Sequence, residues 1–176
     1  SFAYCVNQVC GSGMRAVMEA ALKIKSNENQ LLVAGGQESM SLARHTSLQR
    51  VATKLGHDRM TDSILSEGLT DVFSKDHMGI TAENVARRYK VTRLEQDEFA
   101  FYSYKKAYNA LKKNYFKNEL ISGSLVDEVR QGTKLEKLSS LKAVFKNNGT
   151  VTAGNASSLN DGASMLLIGS SKYCDS

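Results

Sequence analysis

Proline is absent from the 176 residues, cysteine and histidine occur three times each, and no apolar run is long. Each lack narrows the possibilities. Without proline no loop has its φ fixed by a pyrrolidine ring, and nothing in the residues explains that lack. Cys5, Cys10 and Cys174 give neither an even disulfide framework nor a C-x-x-C zinc pattern. No structural metal is expected, and a reducing compartment such as the cytoplasm fits. The longest apolar stretches, Leu31-Leu32-Val33-Ala34 and Met165-Leu166-Leu167-Ile168, fall far short of the roughly 20 residues that span a bilayer. A soluble protein with no membrane partner is the expectation. The formal charge is +5, yet 23 Lys and Arg are dispersed among 18 acids with no aromatic-basic RNA-binding motif. Nucleic acid is therefore not expected, and a smaller anionic ligand accounts for the balance equally well.

What is present is a composition that can fold: 41% of residues are hydrophobic, enough for a buried core in a chain of one-domain size. Phe2 to Val9 is rich in aromatic and β-branched residues and reads as a strand ending at Cys10-Gly11-Ser12-Gly13. Met14, Val17, Met18, Ala21 and Leu22 then recur at the 3-4 spacing of a buried helix face, with Arg15, Glu19 and Lys23 on the other side. Leu31 to Ala34, closed by Gly35-Gly36, reads as a strand buried on both faces. Strand, helix and strand within about 35 residues make a βαβ unit.

From about Gln37 to Ala163 that alternation stops, and the chain reads as a long insertion with its own helices. Thr92-Arg93-Leu94-Glu95 is a capping-box pattern, after which Leu94, Phe101, Tyr104, Tyr108, Leu111 and Tyr115 keep a helical rhythm. A shorter helix is expected over Thr81 to Tyr89, with Ala82, Val85, Ala86 and Tyr89 as its buried stripe. Ser164 to Gly169 returns to the buried-strand pattern. Three strands and one connecting helix leave sheet edges and helix faces uncovered, so the chain reads as a fragment of a larger α/β sheet.

Cys10 stands where the strand turns into the helix, and Gly11 and Gly13 let backbone amides approach a ligand closely. Free N–H groups and the positive end of a helix dipole at such a place favour an anion, whether a sulfur nucleophile or an oxyanion. The competing reading is a small buried apolar residue.

Asn7-Gln8-Val9-Cys10-Gly11-Ser12-Gly13-Met14 resembles the nucleophile motif of thiolases. Four further segments resemble the same family in the same order. They are Val33 to Ser41, His77-Met78-Gly79-Ile80-Thr81-Ala82-Glu83-Asn84, Gly149 to Ser157, and Asn160-Asp161-Gly162-Ala163. The resemblance implies a partial thiolase fold, layered α-β-α-β-α in the whole protein: a βαβ unit plus a long, mostly helical insertion. Residues 1–37 and 164–176 would belong to the N-terminal thiolase domain, and 38–163 to a loop domain for CoA binding and tetramerisation. It also implies an acetyl-CoA C-acetyltransferase in which Cys10 carries the acetyl group. Gly11 after the cysteine and His77 in place of a proline favour the acetoacetyl-CoA group over broad-chain 3-ketoacyl-CoA thiolases.

By the same resemblance Leu69, His77 and Met78 line the pantetheine channel, Arg130, Leu141 and Phe145 meet the nucleotide end, and Ala153, Gly154, Ala156 and Ser157 flank the pantetheine. No cofactor is implied, because coenzyme A enters as the substrate carrier of acetyl-CoA and acetoacetyl-CoA, and the assembly would be a homotetramer or homodimer. His77 has a plainer role open to it as a hydrogen-bonded loop histidine, and His45 and His57 read as surface residues. Ser158, Lys137 and a shortened stretch from Ile121 to Asp127 depart from the family pattern. So does the lack of a Gly-His-Pro histidine, an Asn-Glu-type loop and a second cysteine in a glycine-rich turn. The chain by itself is therefore expected not to turn over. A reading from another class is a non-catalytic CoA-binding or oligomerisation remnant.

Overall fold

The computed structural model describes residues 3–47, 55, 57, 59–121, 127 and 129–174. They fall into two compact units: residues up to Leu69 together with Leu159 onward, and Thr70–Ser158.

In the first unit a single 3-10 turn, Val9–Gly11, leads into helix α1, Ser12–Lys25. Strand β1, Leu31–Ser39, pairs antiparallel with β4, Asp161–Gly169, in a register that sets Leu31 opposite Gly169 and Ser39 opposite Asp161. A second, two-residue pair joins β2, His45–Thr46, to β3, Thr61–Asp62. Helix α1 packs on the two-stranded sheet, with Gly13 facing Gly36. A Cβ at Gly36 would stand 3.4 Å from the Gly13 Cα. Ala20 of α1 and Ala34 of β1 are the buried apolar residues of this unit. The short helix α5, Ser171–Cys174, follows β4.

Several expectations are corrected here. Residues 3–8 form no strand, because no neighbouring strand offers them a hydrogen-bond ladder; Phe2 and Ser1 lie outside the described residues. Among the described residues the βαβ unit is consequently not formed, and the long ladder is antiparallel. Strand β1 runs on through Gly35-Gly36 to Ser39, and β4 begins at Asp161 rather than Ser164. Neither strand is buried on both faces. Val33 and Leu167, paired across the ladder, are 67% and 68% exposed. On α1 the expected buried residues Met14, Met18 and Leu22 are exposed, because no second layer lies over that side of the helix among the described residues.

The second unit is helical. Helix α2, Met78–Tyr89, begins at His77, whose Nδ1 accepts the Gly79 N–H at 2.9 Å. Helix α3, Arg93–Lys112, carries the capping box foreseen at Thr92 and Glu95, with both reciprocal bonds made. A one-turn helix, α4, Leu135–Ser139, lies in the Lys-rich stretch where none was expected. The expected stripe on α2 is also corrected: Val85 and Tyr89 are exposed, and the inward positions are Gly79, Glu83 and Ala86. On α3 the inward positions include Asp97 and Ala100, whereas Leu94 and Tyr108 are exposed, and Tyr115, also exposed, lies beyond the end of the helix. Both shifts have one cause. A carboxylate occupies the inner face of each helix because backbone and side-chain donors from the 150–155 segment meet it there.

Candidate functional site

Cys10 lies in the 3-10 turn that opens α1, and its thiol is exposed and unpaired with any other cysteine. The preceding bonds are local. Asn7 Oδ1 accepts the Val9 N–H at 2.9 Å, and the Ser12 hydroxyl donates to the Val9 carbonyl at 2.7 Å. A sulfur at the mouth of a 14-residue helix, open to solvent, can attack an electrophilic carbonyl carbon; one sealed among aliphatic side chains cannot. Leu69, also in the first unit, ends the π-helical turn Ile64–Leu69 and is half-buried.

In the second unit several of the other named residues lie in two groups. His77 stacks on Phe145, with ring centroids 4.7 Å apart and planes 22° from parallel. Gly79 is what allows it, since a Cβ there would fall 2.2 Å from the Phe145 ring. Met78 beside them is exposed. The second group surrounds a cavity of about 300 Å³ lined by Tyr104, Arg130, Gln131, Thr133, Lys137 and Leu141, among others. Arg130 and Lys137 supply positive charge, and Tyr104 and Leu141 supply apolar wall, a combination suited to a planar anionic group. Gly154 lies under Leu141, and a Cβ there would be 2.5 Å from the leucine Cδ1. Ala153 and Ser157 are exposed and Ala156 is half-buried, its N–H donating to the Thr152 carbonyl at 3.0 Å.

The two groups are tied by a short antiparallel bridge between Ala143 and Thr152. A second cavity, about 250 Å³, is lined by Glu83, Arg87, Lys146, Asn148 and Thr150, among others, and contains none of the expected site residues. Among the described residues no cluster of His, Cys, Asp and Glu is arranged to hold a metal ion, and no helix is long and apolar enough to cross a membrane.

What the sequence reading missed is the polar framework under this site. Glu83 accepts the N–H groups of Thr150 and Val151 at 2.7 and 2.8 Å and the Thr150 hydroxyl at 3.0 Å. Burial alone would raise the Glu83 pKa, but those bonds and the Lys146 charge outweigh it and hold the carboxyl below the ordinary glutamate value. Asp97, fully buried, accepts from Arg93 Nε at 2.8 Å and Asn155 Nδ2 at 2.9 Å. Arg93 extends the network to the Leu138 and Leu141 carbonyls, at 2.7 and 2.9 Å. Asn155 also accepts the Thr152 N–H, and the Tyr104 hydroxyl donates to the Gly154 carbonyl at 3.0 Å. The 150–156 segment is thus held from both α2 and α3. A signal existed: Gly79, Glu83 and Ala86, like Asp97 and Ala100, place an acid in line with small residues at helical spacing.

Residues 1–172 match the family described as "Thiolase, N-terminal domain". A "Probable acetyl-CoA acyltransferase" of Staphylococcus aureus strain bovine RF122 / ET3-1 is 45% identical over 178 residues, covering 94% of this chain and 45% of the relative. Its counterpart in strain COL is 45% identical over 179 residues, covering 94% of this chain and 46% of its own. The crystal structure of the Bacillus anthracis acetyl-CoA acetyltransferase matches with a TM-score of 0.89 and 35% identity, over 98% of this chain and 47% of that one. The chain spans about half the length of the curated relatives it matches. It belongs to the thiolase family and has a partial α/β thiolase fold, that of the N-terminal domain.

Proposed function

We propose that this chain supplies the nucleophile and part of the CoA cradle of an acetyl-CoA C-acetyltransferase. The observation that carries the reading is the exposed Cys10 thiol at the opening of α1, inside the segment Asn7 to Met14. The Cys10 sulfur attacks the thioester carbon of acetyl-CoA; the new S–C bond forms as the CoA S–C bond breaks, and CoA departs as a thiolate that takes up a proton. The enolate of a second acetyl-CoA then attacks the Cys10 thioester, a C–C bond forms, and the sulfur leaves with its electron pair. The product is acetoacetyl-CoA, and thiolysis is the reverse.

In this reading Leu69, His77 and Met78 face pantetheine, Arg130, Leu141 and Phe145 face the nucleotide, and Ala153, Gly154, Ala156 and Ser157 flank the pantetheine. Arg130 beside Lys137 and Tyr104 in one cavity supports the nucleotide assignment, and the His77–Phe145 stack joins a residue of the pantetheine set to one of the nucleotide set. CoA is a substrate carrier and no separate cofactor is required. The working protein is a cytoplasmic homotetramer or homodimer. No Gly-His-Pro segment occurs in the chain, so it lacks the histidine that by resemblance would draw the proton from Cys10, and it does not turn over by itself.

A broad-chain 3-ketoacyl-CoA thiolase is the second reading, and His77-Met78 weighs against it. The test is acetoacetyl-CoA thiolysis, measured for this chain and for the protein extended by the second half its relatives carry. The extended protein should cleave the four-carbon substrate faster than longer ones and lose about 10³-fold or more in rate on Cys10→Ala. Preference for longer substrates would favour the second reading. Turnover by the 176-residue chain, free of host thiolase, would overturn the claim that it is inactive alone.

A further inference from the structure

Val9 has a φ of 51°, in the left-handed region, which a β-branched side chain adopts only at a cost. Such a conformation persists where its surroundings over-determine it, and here both backbone polar groups of Val9 are held by side chains. Its N–H donates to Asn7 Oδ1 at 2.9 Å, and its carbonyl accepts from the Ser12 hydroxyl at 2.7 Å. The same Ser12 oxygen accepts the Gln8 N–H at 2.9 Å, and the Gly11 N–H closes the turn on the Gln8 carbonyl at 3.0 Å.

The strained residue directly precedes Cys10. The sign of φ at Val9 decides the direction in which the chain enters the 3-10 turn, and so where the next side chain stands relative to the first turn of α1. A glycine would adopt this φ freely, but it would also adopt the opposite sign about as readily, dividing the thiol between two positions. Valine with two side-chain clamps excludes the alternative.

We propose that Asn7 and Ser12 are positioning residues that lock Val9 in the left-handed turn and thereby hold the Cys10 thiol at the mouth of α1. This deepens the function proposed above and rests on Cys10 being the reacting sulfur.

The experiment is alkylation of the 176-residue chain by iodoacetamide, with each cysteine followed by peptide mass spectrometry. Cys5 and Cys174 are also exposed and serve as internal references. If release of the clamp leaves the productive turn populated in about one molecule in ten, Asn7→Ala lowers the Cys10 rate relative to Cys174 about tenfold. Ser12→Ala does the same, whereas Ser12→Thr, which keeps the hydroxyl, retains the original rate. Adding Val9→Gly to Asn7→Ala restores the rate to within about twofold, because glycine needs no clamp to take positive φ. A role confined to folding predicts no such rescue.

An unchanged Cys10 rate in Asn7→Ala, or no recovery on adding Val9→Gly while circular dichroism stays intact, overturns the proposal. Should Asn7→Ala lose helix, the single variant Val9→Gly decides: with the clamp present its Cys10 rate must stay within about twofold, and a larger fall overturns the proposal. Failure of Cys10 to accept an acetyl group would remove the proposed function instead, while leaving these alkylation ratios readable.

Discussion

The two units solve the problem of an interior in opposite ways. The Thr70–Ser158 unit turns acids inward and satisfies them: Glu83 and Asp97 are buried, and no buried side-chain polar atom among the described residues lacks a partner. The unit that holds Cys10 buries little beyond Ala20 and Ala34 and leaves Met14, Met18, Leu22, Val33, Met165 and Leu167 exposed. Apolar side chains exposed on a helix and on a sheet in this way are the kind that further protein covers. The contrast shows which of the two units is self-supporting among the described residues. The residues proposed to hold CoA in the second unit rest on a closed hydrogen-bond network, whereas the thiol rests on a single turn and its local clamps.

The strongest way to break that contrast is Asp97→Ala. It strips Arg93 and Asn155 of a shared buried acceptor, and a loss of about 3 kcal/mol is expected, near the low end for a broken buried pair because Arg93 keeps its carbonyl partners. Hydrogen exchange at the amides of Thr152 to Ala156 should show the loss; unchanged protection there would mean that the network does not support the segment. Gly79→Ala comes next. Its new methyl meets the Phe145 ring, and about 2 kcal/mol of overpacking is expected together with loss of the His77–Phe145 stack. The stack can be followed through the His77 ring resonances, and their failure to shift would contradict the geometry.

Acid should have a smaller effect, and its sign follows from Glu83. Its carboxyl titrates below the ordinary value of 4.5, so it contributes stability above that pH, and the contribution is lost as pH falls through its folded-state value. The stability of the second unit, followed by unfolding from pH 6 downward, should therefore fall below about pH 4.5, and Glu83→Gln should flatten that limb. The same slope with and without the carboxyl would remove Glu83 from the account. The smallest effect is expected in the other unit, where Met18→Gln should change stability by less than about 0.5 kcal/mol, because Met18 is exposed. A loss of several kcal/mol on denaturant unfolding would show that the α1 face is buried after all.

Part of the fold was legible because its signals are local. The capping box at Thr92, the start of α1 just after Cys10 and the run Leu31 to Ala34 all depend on residues a few positions apart. Burial was not, because it depends on partners far along the chain. The stripe Met14, Met18 and Leu22 has the spacing of a buried face, yet burial requires a second layer that no described residue supplies. Helix α2 shows the converse. Glu83 looks like a solvent residue until Thr150 and Val151 bring their N–H groups to it across 67 and 68 positions. The left-handed Val9 was equally hidden, since nothing in valine's own preferences points to positive φ.

The most direct test of the central claim is to locate the acetyl group. The protein extended by the second half its relatives carry should be exposed to acetyl-CoA, quenched in acid and mapped by peptide mass spectrometry. Acetyl on Cys10, and none on Cys5 or Cys174, is the predicted result; an unmodified Cys10 with acetyl elsewhere would contradict it.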